Sequence, residues 1–340
     1  MVPNKNISVK MENPFPKSTS VTDRVRLLMN VVEQNDVVAI IINADPDAMA
    51  SAMALKRIFW RKARKINIYH TNIIKRDDNL AMINLLKFDQ RHIRKMRQEQ
   101  ITKFALVDSQ PSHEELLSKY EYDIIIDHHP FVKQSKAVFM DIKEEYGATA
   151  TILTEYLRAS GIKPSPRLAT ALFYGIKTDT DNFVRESAPN DVNAFRYLYQ
   201  FINTNTIKKI ESSELTRKTM ESYKKAMDRC IFIKDRVFIP MGVIDNPDTL
   251  VLIADFFIKM ADITWSVAAG ISGKKLIIIF RNAGFRYDAG KLANKLFGEY
   301  GSAGGHKSAA RAEIPLANIE KEVPDGVDFT QFIAARLRGI

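Results

Sequence analysis

Residues 37–51 read VVAIIINADPDAMAS, an apolar run followed directly by two aspartates and a series of small residues. The run is rich in β-branched residues and far shorter than a membrane span, so it predicts a buried strand over Val37–Asn43. A helix is predicted at Ala48–Arg61. Asp45 and Asp47 then follow the carboxyl end of a strand, where open α/β sheets bind their ligands. The alternative is that Asp47 only caps the helix.

Strands and helices continue to alternate after this stretch. Short apolar strands are predicted at Ile66–His70, Phe104–Val107 and Tyr122–Ile126, with helical segments between several of them. Helices are predicted to dominate residues 149–227. This alternation predicts an α/β fold with a mostly parallel sheet and helices on both of its faces.

A second, smaller α/β pattern begins near Cys230, after a polar helical stretch. A chain of 340 residues is too long for one ordinary core and suits two domains. The predicted division is an N-terminal arm at residues 1–20, a catalytic domain at 21–211, a helical linker at 212–229 and a C-terminal domain at 230–340.

The composition favours a cytoplasmic protein. Cys230 is the only cysteine, so no disulfide can form within the chain, which suits a reducing compartment. The first residues show no basic segment followed by an apolar one, so secretion is not expected, and the apolar runs are too short to cross a membrane. The formal net charge of +10 is compatible with an anionic substrate, although the basic clusters resemble solvated helix faces.

Three further polar motifs follow predicted elements in the same way. Asp108 ends the strand in FALVDSQ, the group Asp127, His128 and His129 ends the apolar run in YDIIIDHHP, and Asp179 follows a helix in LFYGIKTDTDNF. Each motif alone also fits a turn or a cap. Together they converge on one rim of the sheet, where carboxylates repel one another unless cations neutralise them. Oxygen and imidazole ligands without thiolates suit Mn²⁺ or Mg²⁺.

The order and spacing of these motifs resemble those of the DHH family of phosphoesterases. The matching residues are DPD with Ser51 after it, Asp108, DHH at residues 127–129 and GIKTDT at 175–180. Residues 280–310, FRNAGFRYDAGKLANKLFGEYGSAGGHKSAA, are similar to the C-terminal substrate-binding domain of the family. The likeness covers residues 37–312.

The resemblance implies hydrolysis of phosphate esters by water that two Mn²⁺ ions activate, with Mg²⁺ as a substitute. The implied substrates are small nucleotides or short single-stranded oligonucleotides, such as nano-RNA, linear dinucleotides or adenosine 3′,5′-bisphosphate. One ion would be held by Asp47, Asp108, His128 and Asp179, and the other by Asp45 and the shared Asp108. His129 would contact the scissile phosphate or orient the ligands, and Asp108 and His129 would form the catalytic pair.

The resemblance also implies that Arg281, Gly304, Gly305 and His306 bind the substrate. Adjacent glycines let the backbone approach a phosphate, and a guanidinium can bind it in a bidentate manner. No membrane partner is expected, and a homodimer is compatible with the sequence.

The chain departs from the family pattern at Ile41, where the family has a histidine four residues before its first aspartate. Asn43 shares a strand face with Ile41, so its amide oxygen could partly replace the imidazole. Arg311 stands where the family pattern has glycine. The alternative function is therefore a DHH-fold nucleotide-binding protein with an impaired second metal site and little hydrolytic activity. A processive exonuclease on long strands would need a broad basic channel with stacking aromatics.

Overall fold

The computed structural model describes residues 19–133, 135–185, 187–213, 216–283, 287–320, 323 and 329–337. The chain divides into two compact units, Met1–Ser213 and Glu214–Ile340. Most of the predicted N-terminal arm, residues 1–18, lies outside the described residues. Residues 284–286 of the C-terminal motif lie outside them as well.

The first unit is built on a parallel sheet. Its strands are β1 (Val37–Ile42), β2 (Lys65–His70), β3 (Arg91–His92), β4 (Lys103–Val107), β5 (Ile124–Asp127) and β6 (Phe139–Ile142). The six strands have the order β3-β2-β1-β4-β5-β6, and every pair that forms is parallel. The α/β fold with a mostly parallel sheet is confirmed. The strand order reverses between β1 and β4, so the loops after these two strands open a crevice there.

The helices of the first unit follow the alternation that the sequence predicts. They are α1 (Val21–Asn30), α2 (Pro46–Ile58), α3 (Asp77–Leu85), α4 (Thr149–Ala159), α5 (Pro166–Asp179), α6 (Pro189–Tyr199) and α7 (Thr204–Ser212). The helix α2 begins two residues before the predicted start, because Pro46 is well suited to the first helical position.

All six residues of β1 are buried, which explains why the strand is uniformly apolar. Val38, Ile40 and Ile42 face the core that α2, α4 and α5 form. Ala39 and Ile41 face a smaller core on the other side of the sheet. That side is covered by the segments between strands, which include short 3₁₀ turns.

Gly175 lets α5 approach the beginning of α2. A Cβ atom at this position would lie 3.1 Å from the Cα of Asp47 and 3.2 Å from the carbonyl oxygen of Pro46. Residues four apart lie on the same face of a helix, so Asp179 also faces this contact. The glycine and the aspartate in GIKTD therefore act together to bring two carboxylates close to each other.

The second unit contains a mixed sheet. Its elements are α8 (Arg217–Arg229), β7 (Ile231–Ile233), β8 (Arg236–Val243), α9 (Asp248–Phe257), β9 (Trp265–Ser272), β10 (Lys275–Asn282), α10 (Ala289–Phe297), β11 (Ser302–Gly305), β12 (Ala309–Pro315), α11 (Leu316–Ile319) and α12 (Phe329–Leu337). The strand order is β11-β12-β10-β9-β8-β7, and β8 and β9 are parallel whereas the other pairs are antiparallel. Alternate residues of β10 contribute to two separate cores, so both of its faces are covered.

Among the described residues, no helix has both the length and the apolar character that a membrane crossing requires.

We expect Gly175→Ala to lower the stability of the first unit. The added methyl group meets backbone atoms that cannot swing aside, and overpacking of this kind costs about 1–3 kcal/mol against about 1 kcal/mol gained in helix propensity. Thermal unfolding in the presence of EDTA measures the change. Gly304→Ala is the control, because its Cβ would have no neighbour within 4 Å. Equal midpoints for the two variants would contradict the role given to Gly175.

Candidate metal centre

The turn after β1 presents Asp45 at the carboxyl edge of the sheet. The Asn72 side chain holds this turn through two hydrogen bonds with the backbone of Ala44, each 2.9 Å long. Asp45 is the N-cap of α2, and its Oδ1 accepts the amide proton of Ala48 at 2.8 Å. The alternative prediction that Asp47 caps α2 is therefore wrong, because the N-cap of this helix is Asp45.

Asp47 is buried and caps a different helix. Its Oδ2 accepts the amide proton of Thr149 at 2.7 Å, and its Oδ1 accepts that of Ala150 at 2.8 Å. Ala148, the N-cap residue of α4, has no side-chain acceptor, so Asp47 takes this role from another part of the chain. The positive end of α4 stabilises the carboxylate. Oδ1 also accepts the hydroxyl proton of Ser51 at 3.4 Å, whereas Oδ2 keeps a second lone pair that a cation could use.

Asp108 follows β4 in a left-handed backbone conformation with φ of 61°. Its amide donates to the carbonyl oxygen of Ile126 at 2.9 Å, and its Oδ1 accepts the hydroxyl proton of Thr149 at 2.8 Å. Positive φ is uncommon outside glycine, although aspartate tolerates it, and such residues cluster at functional sites. The backbone and Thr149 thus fix the direction of this carboxylate.

The segment that carries Thr149 is anchored by Asp191 of α6. One carboxylate oxygen of Asp191 accepts the amide proton of Gly147 at 2.8 Å, and the other accepts the hydroxyl proton of Thr151 at 2.5 Å. Asp191 is completely buried. Its position therefore determines where α4 begins.

In its neutral form, His128 would present a lone pair to the carboxylates. Its Nδ1 donates to the carbonyl oxygen of Tyr146 at 3.0 Å, so the neutral ring carries its lone pair on Nε2. Nε2 lies 2.9 Å from Oδ2 of Asp179 and 3.7 Å from Oδ1 of Asp108, but it is buried and makes no well-aligned hydrogen bond in the described part of the chain. Two ligands about 2.1 Å from one cation at a right angle are about 3 Å apart. The spacing of His128 and Asp179 fits such a pair.

Asp127 orients His129. Its Oδ1 accepts the Nδ1 proton of His129 at 2.8 Å and the amide proton of His128 at 2.9 Å, and its Oδ2 accepts a proton of the Gln110 amide at 2.8 Å. Burial would raise the pKa of Asp127, but the hydrogen bonds from His129 and Gln110 lower it. The first residue of the DHH motif is therefore an ionised anchor for the third.

The buried carboxylates of Asp45, Asp47 and Asp108 repel one another. Burial and the charge of Asp179 raise the pKa of Asp45 to about 6 and that of Asp47 to about 7. Burial and the neighbouring carboxylates raise the pKa of Asp108 well above its usual value. Burial opposes the charge on His128, but its contact with Asp179 and the other carboxylates raise its pKa to about 10. Either protons or cations must neutralise this cluster.

Three overlapping sets of residues could hold a metal ion, because their ligand atoms lie within 4.8 Å of one another. They are Asp47, His128 and Asp179; Asp108, His128 and His129; and His113, Asp127 and His129. The third set is the least suited to a cation, because Nδ1 of His113 accepts the amide proton of Gln110 and the proton of the neutral ring is then on Nε2. The structure thus brings together four of the five predicted metal ligands in two of these sets. Asp45 belongs to none of the three sets, although the nearby charges shift its pKa.

The strand β1 supplies no imidazole. Ile41 is fully buried in the apolar core beside Tyr69 and Leu106. The side-chain amide of Asn43 donates to Oε1 of Glu114 at 2.6 Å. This hydrogen bond ties Asn43 to the loop that follows β4.

In the second unit, the segment 304–307, called the glycine loop below, packs on α10. A Cβ atom on Gly290 would lie 2.2 Å from the carbonyl oxygen of Gly305, and Gly305 itself has φ of 148°. The amides of Ala289 and Gly290 donate to the carbonyl oxygens of Lys307 and His306 at 2.9 and 3.0 Å. Gly304 borders open space and the His306 side chain is exposed.

Two arginines of the second unit are already engaged in ion pairs. The Nε of Arg281 donates to Oδ1 of Asp255 at 2.5 Å, and Nη2 of Arg311 lies 2.7 Å from Oε1 of Glu313. Arg281 and Arg311 lie on the same face of neighbouring strands. A substrate anion at Arg281 would have to share this guanidinium with Asp255.

Sequence reasoning missed Gln110, His113, Tyr146 and Thr149. Gln110 and His113 follow Asp108 closely, and a polar loop after a switch-point strand is a signal that could have found them. Thr149 begins a helix whose preceding residue, Ala148, has no side chain that could cap it, and this is a weaker indication of a functional role. Tyr146 contributes only its backbone carbonyl, so its side chain gives no indication from the sequence.

Residues 37–176 match the sequence profile of the DHH family, N-terminal domain. The chain is 38% identical over 298 residues to the uncharacterized protein MJ1633 of Methanocaldococcus jannaschii, which covers 87% of this chain and 61% of that protein. It is 26% identical over 207 residues to an A-adding tRNA nucleotidyltransferase of Aquifex aeolicus, covering 58% of this chain and 24% of that protein. The chain thus spans less than two thirds of the length of either relative.

Two solved structures share the fold. An exopolyphosphatase-related protein from Bacteroides fragilis has a TM-score of 0.69 at 15% identity, covering 88% of this chain and 93% of that chain. RecJ from Thermus thermophilus, in complex with Mn²⁺, has a TM-score of 0.55 at 12% identity, covering 94% of this chain and 54% of that chain. At these identities the similarity concerns the fold alone.

We expect the affinity for a divalent cation to rise as pH increases from about 5.5 to 8. The raised pKa values of Asp45, Asp47 and His128 mean that protons occupy the site at the lower pH and must leave before a cation binds. Calorimetric titration with Mn²⁺ in two buffers of different ionisation enthalpy would count the protons released. A constant affinity for Mn²⁺ over this pH range would contradict the prediction that protons occupy the site at the lower pH.

We expect Asp108→Asn to stabilise the cation-free protein at neutral pH. Because the folded pKa of Asp108 is raised, the folded state binds this proton more tightly than the unfolded state, and stability falls as pH rises above about 4. Asparagine removes that loss of stability and tolerates positive φ. Thermal unfolding in EDTA should show a higher midpoint, and Mn²⁺ should no longer raise it.

The matched control for this change is Asp181→Asn. Asp181 is exposed and also has a positive φ of 47°, but it belongs to none of the metal-binding sets. The thermal unfolding midpoint of Asp181→Asn should match that of the unchanged protein with and without Mn²⁺. In EDTA, a lower midpoint for Asp108→Asn than for Asp181→Asn would contradict the prediction that the carboxylates of the cluster repel one another.

Proposed function

We propose that this chain, whose residues 37–176 form a DHH family N-terminal domain, is a phosphoesterase that uses two Mn²⁺ ions to hydrolyse small nucleotides or short single-stranded oligonucleotides. The observation that carries the proposal is the buried Nε2 of His128, which faces carboxylate oxygens of Asp179 and Asp108 without a well-aligned hydrogen bond among the described residues. A cation would satisfy this arrangement, which lies at the edge where α/β sheets bind their ligands. Paired cations are a means by which phosphatases and nucleases hydrolyse phosphate esters.

The first ion would be held by Asp47, Asp108, His128 and Asp179. The second would be held by Asp45 and by Asp108, which bridges the two. What supports this assignment is that ligand atoms of Asp47, His128 and Asp179 lie within 4.8 Å of one another and that Nε2 of His128 lies 3.7 Å from Oδ1 of Asp108. Each of the carboxylates is also oriented by a hydrogen bond or a close contact. Mg²⁺ offers the same preference for oxygen ligands and could substitute.

When bound, paired divalent cations lower the pKa of a water molecule and neutralise charge on the phosphoryl oxygens. The chain's own residues do the positioning. Thr149 holds the Asp108 carboxylate, and the carbonyl of Tyr146 holds His128 in the tautomer that presents Nε2. Thr149 and Tyr146 lie at and just before the beginning of α4, where Asp47 and Asp191 accept backbone amide protons.

In the second unit, Gly304, Gly305, His306 and Arg281 would bind the anionic groups of the substrate. The support is the open space at Gly304 and the exposure of the His306 side chain. Arg281 is held by Asp255, which orients its guanidinium but also competes with an anion. These residues would therefore serve binding rather than chemistry.

The alternative is a nucleotide-binding protein with little hydrolytic activity. The burial of Ile41 in an apolar core favours it, because β1 then gives the second cation no imidazole.

Turnover with Mn²⁺ on adenosine 3′,5′-bisphosphate, a linear dinucleotide and a short RNA distinguishes the two functions. We expect the unchanged protein to hydrolyse at least one of them and Asp108→Asn to lose about 100-fold or more, because the bridging carboxylate is gone. Asp181→Asn should retain full activity. Nucleotide binding without turnover in the unchanged protein would favour the alternative.

We also expect His306→Ala to raise KM for nucleotides while leaving hydrolysis of bis(p-nitrophenyl) phosphate nearly unchanged. Contacts remote from the reacting bond act on substrates that can reach them. Equal losses on both substrates would contradict a binding role for the glycine loop.

A further inference from the structure

We infer that His129 is a ligand of the second cation through its Nε2, with Asp127 as the carboxylate that orients it. The inference rests on the proposed function, since it concerns the second of the two ions in that proposal. It changes the role of His129 from a contact with the substrate to part of the metal site.

The tautomer of His129 is fixed by its surroundings. Nδ1 donates to Oδ1 of Asp127 at 2.8 Å, and Asp127 is fully buried and held by Gln110 and by the amide of His128. In the neutral ring, the proton is therefore on Nδ1 and the lone pair is on Nε2. A carboxylate behind an imidazole in this way orients the ring and makes it a more basic ligand.

The location of His129 suits a cation shared with Asp108. Ligand atoms of Asp108, His128 and His129 lie within 4.8 Å of one another. Ligand atoms of one octahedral cation are separated by about 3 to 4.2 Å, which is inside this limit. His128 is committed to Asp179 at 2.9 Å, and its ring is inclined by 54° to that of His129. The two adjacent histidines can therefore serve two neighbouring ions that Asp108 bridges.

The strand β1 offers no imidazole to this coordination position. Ile41 has no ligand atom, and the side-chain nitrogen of Asn43 donates to Glu114 at 2.6 Å, which leaves only a neutral amide oxygen as an alternative ligand. Among the described residues, the set that contains Asp108 draws its imidazoles from His128 and His129. His129 is thus the group that completes the second site.

His113 provides a matched control. Its ring lies 5.4 Å from that of His129 in an edge-on arrangement, and its Nδ1 accepts the amide proton of Gln110 at 3.3 Å. The proton of the neutral ring is consequently on Nε2, so this nitrogen has no lone pair for a cation. His113 and His129 share their residue type and their neighbourhood but differ in this respect.

The test is the number and affinity of Mn²⁺ ions bound by the full chain. Isothermal titration calorimetry gives both quantities, and the electron paramagnetic resonance spectrum reports spin coupling between two nearby ions. The unchanged chain and His113→Ala should bind two ions and show coupling. His129→Ala should keep one tight ion, lose the coupling and bind the second ion about 10- to 100-fold more weakly. The retained tight ion also verifies that His129→Ala is folded.

Each other outcome overturns a different statement. One ion in the unchanged chain would overturn the two-ion centre and the inference with it. Two ions of unaltered affinity in His129→Ala, with two in the unchanged chain, would overturn the inference alone. Loss of the second ion in His113→Ala to the same extent would show that the effect does not come from coordination by His129, and would also overturn it.

Discussion

Asp47 joins the end of β1 to the beginning of α4, because its two carboxylate oxygens accept the amide protons of Thr149 and Ala150. This contact sets the position of Thr149, which in turn holds Asp108 after β4. The loops at the switch point of the sheet are thereby linked to each other through a helix terminus. This link fixes the distance between the carboxylates of Asp47 and Asp108. The distance between ligand atoms is one of the factors that determine which cation a site binds.

The same contact carries an electrostatic cost. Burial of Asp47 and Asp108 raises their pKa values, and the cap at α4 offsets only part of the repulsion between them. A centre of this kind is stable when protons or cations are bound and unstable when it is empty and fully ionised. Any cation that binds to this cluster would consequently also stabilise the unit.

The sequence predicted the parallel sheet and the motifs at strand ends well, because both depend on local patterns of apolar and polar residues. It did not predict which helix Asp47 caps, since Thr149 and Ala150 are distant in sequence and are brought near only by the fold. The two-residue strand Arg91–His92 lacks an apolar pattern and was missed for that reason. The pairing of Arg281 with Asp255 depends on how α9 packs on β10, which periodicity alone does not determine.

Asp191 anchors the beginning of α4 from a helix that follows every other residue of the metal centre in the chain. During synthesis, the sheet strands and all the carboxylates that surround the crevice emerge from the ribosome before this anchor does. The hydrogen bonds that hold the beginning of α4 can therefore form only after α6 has been synthesised.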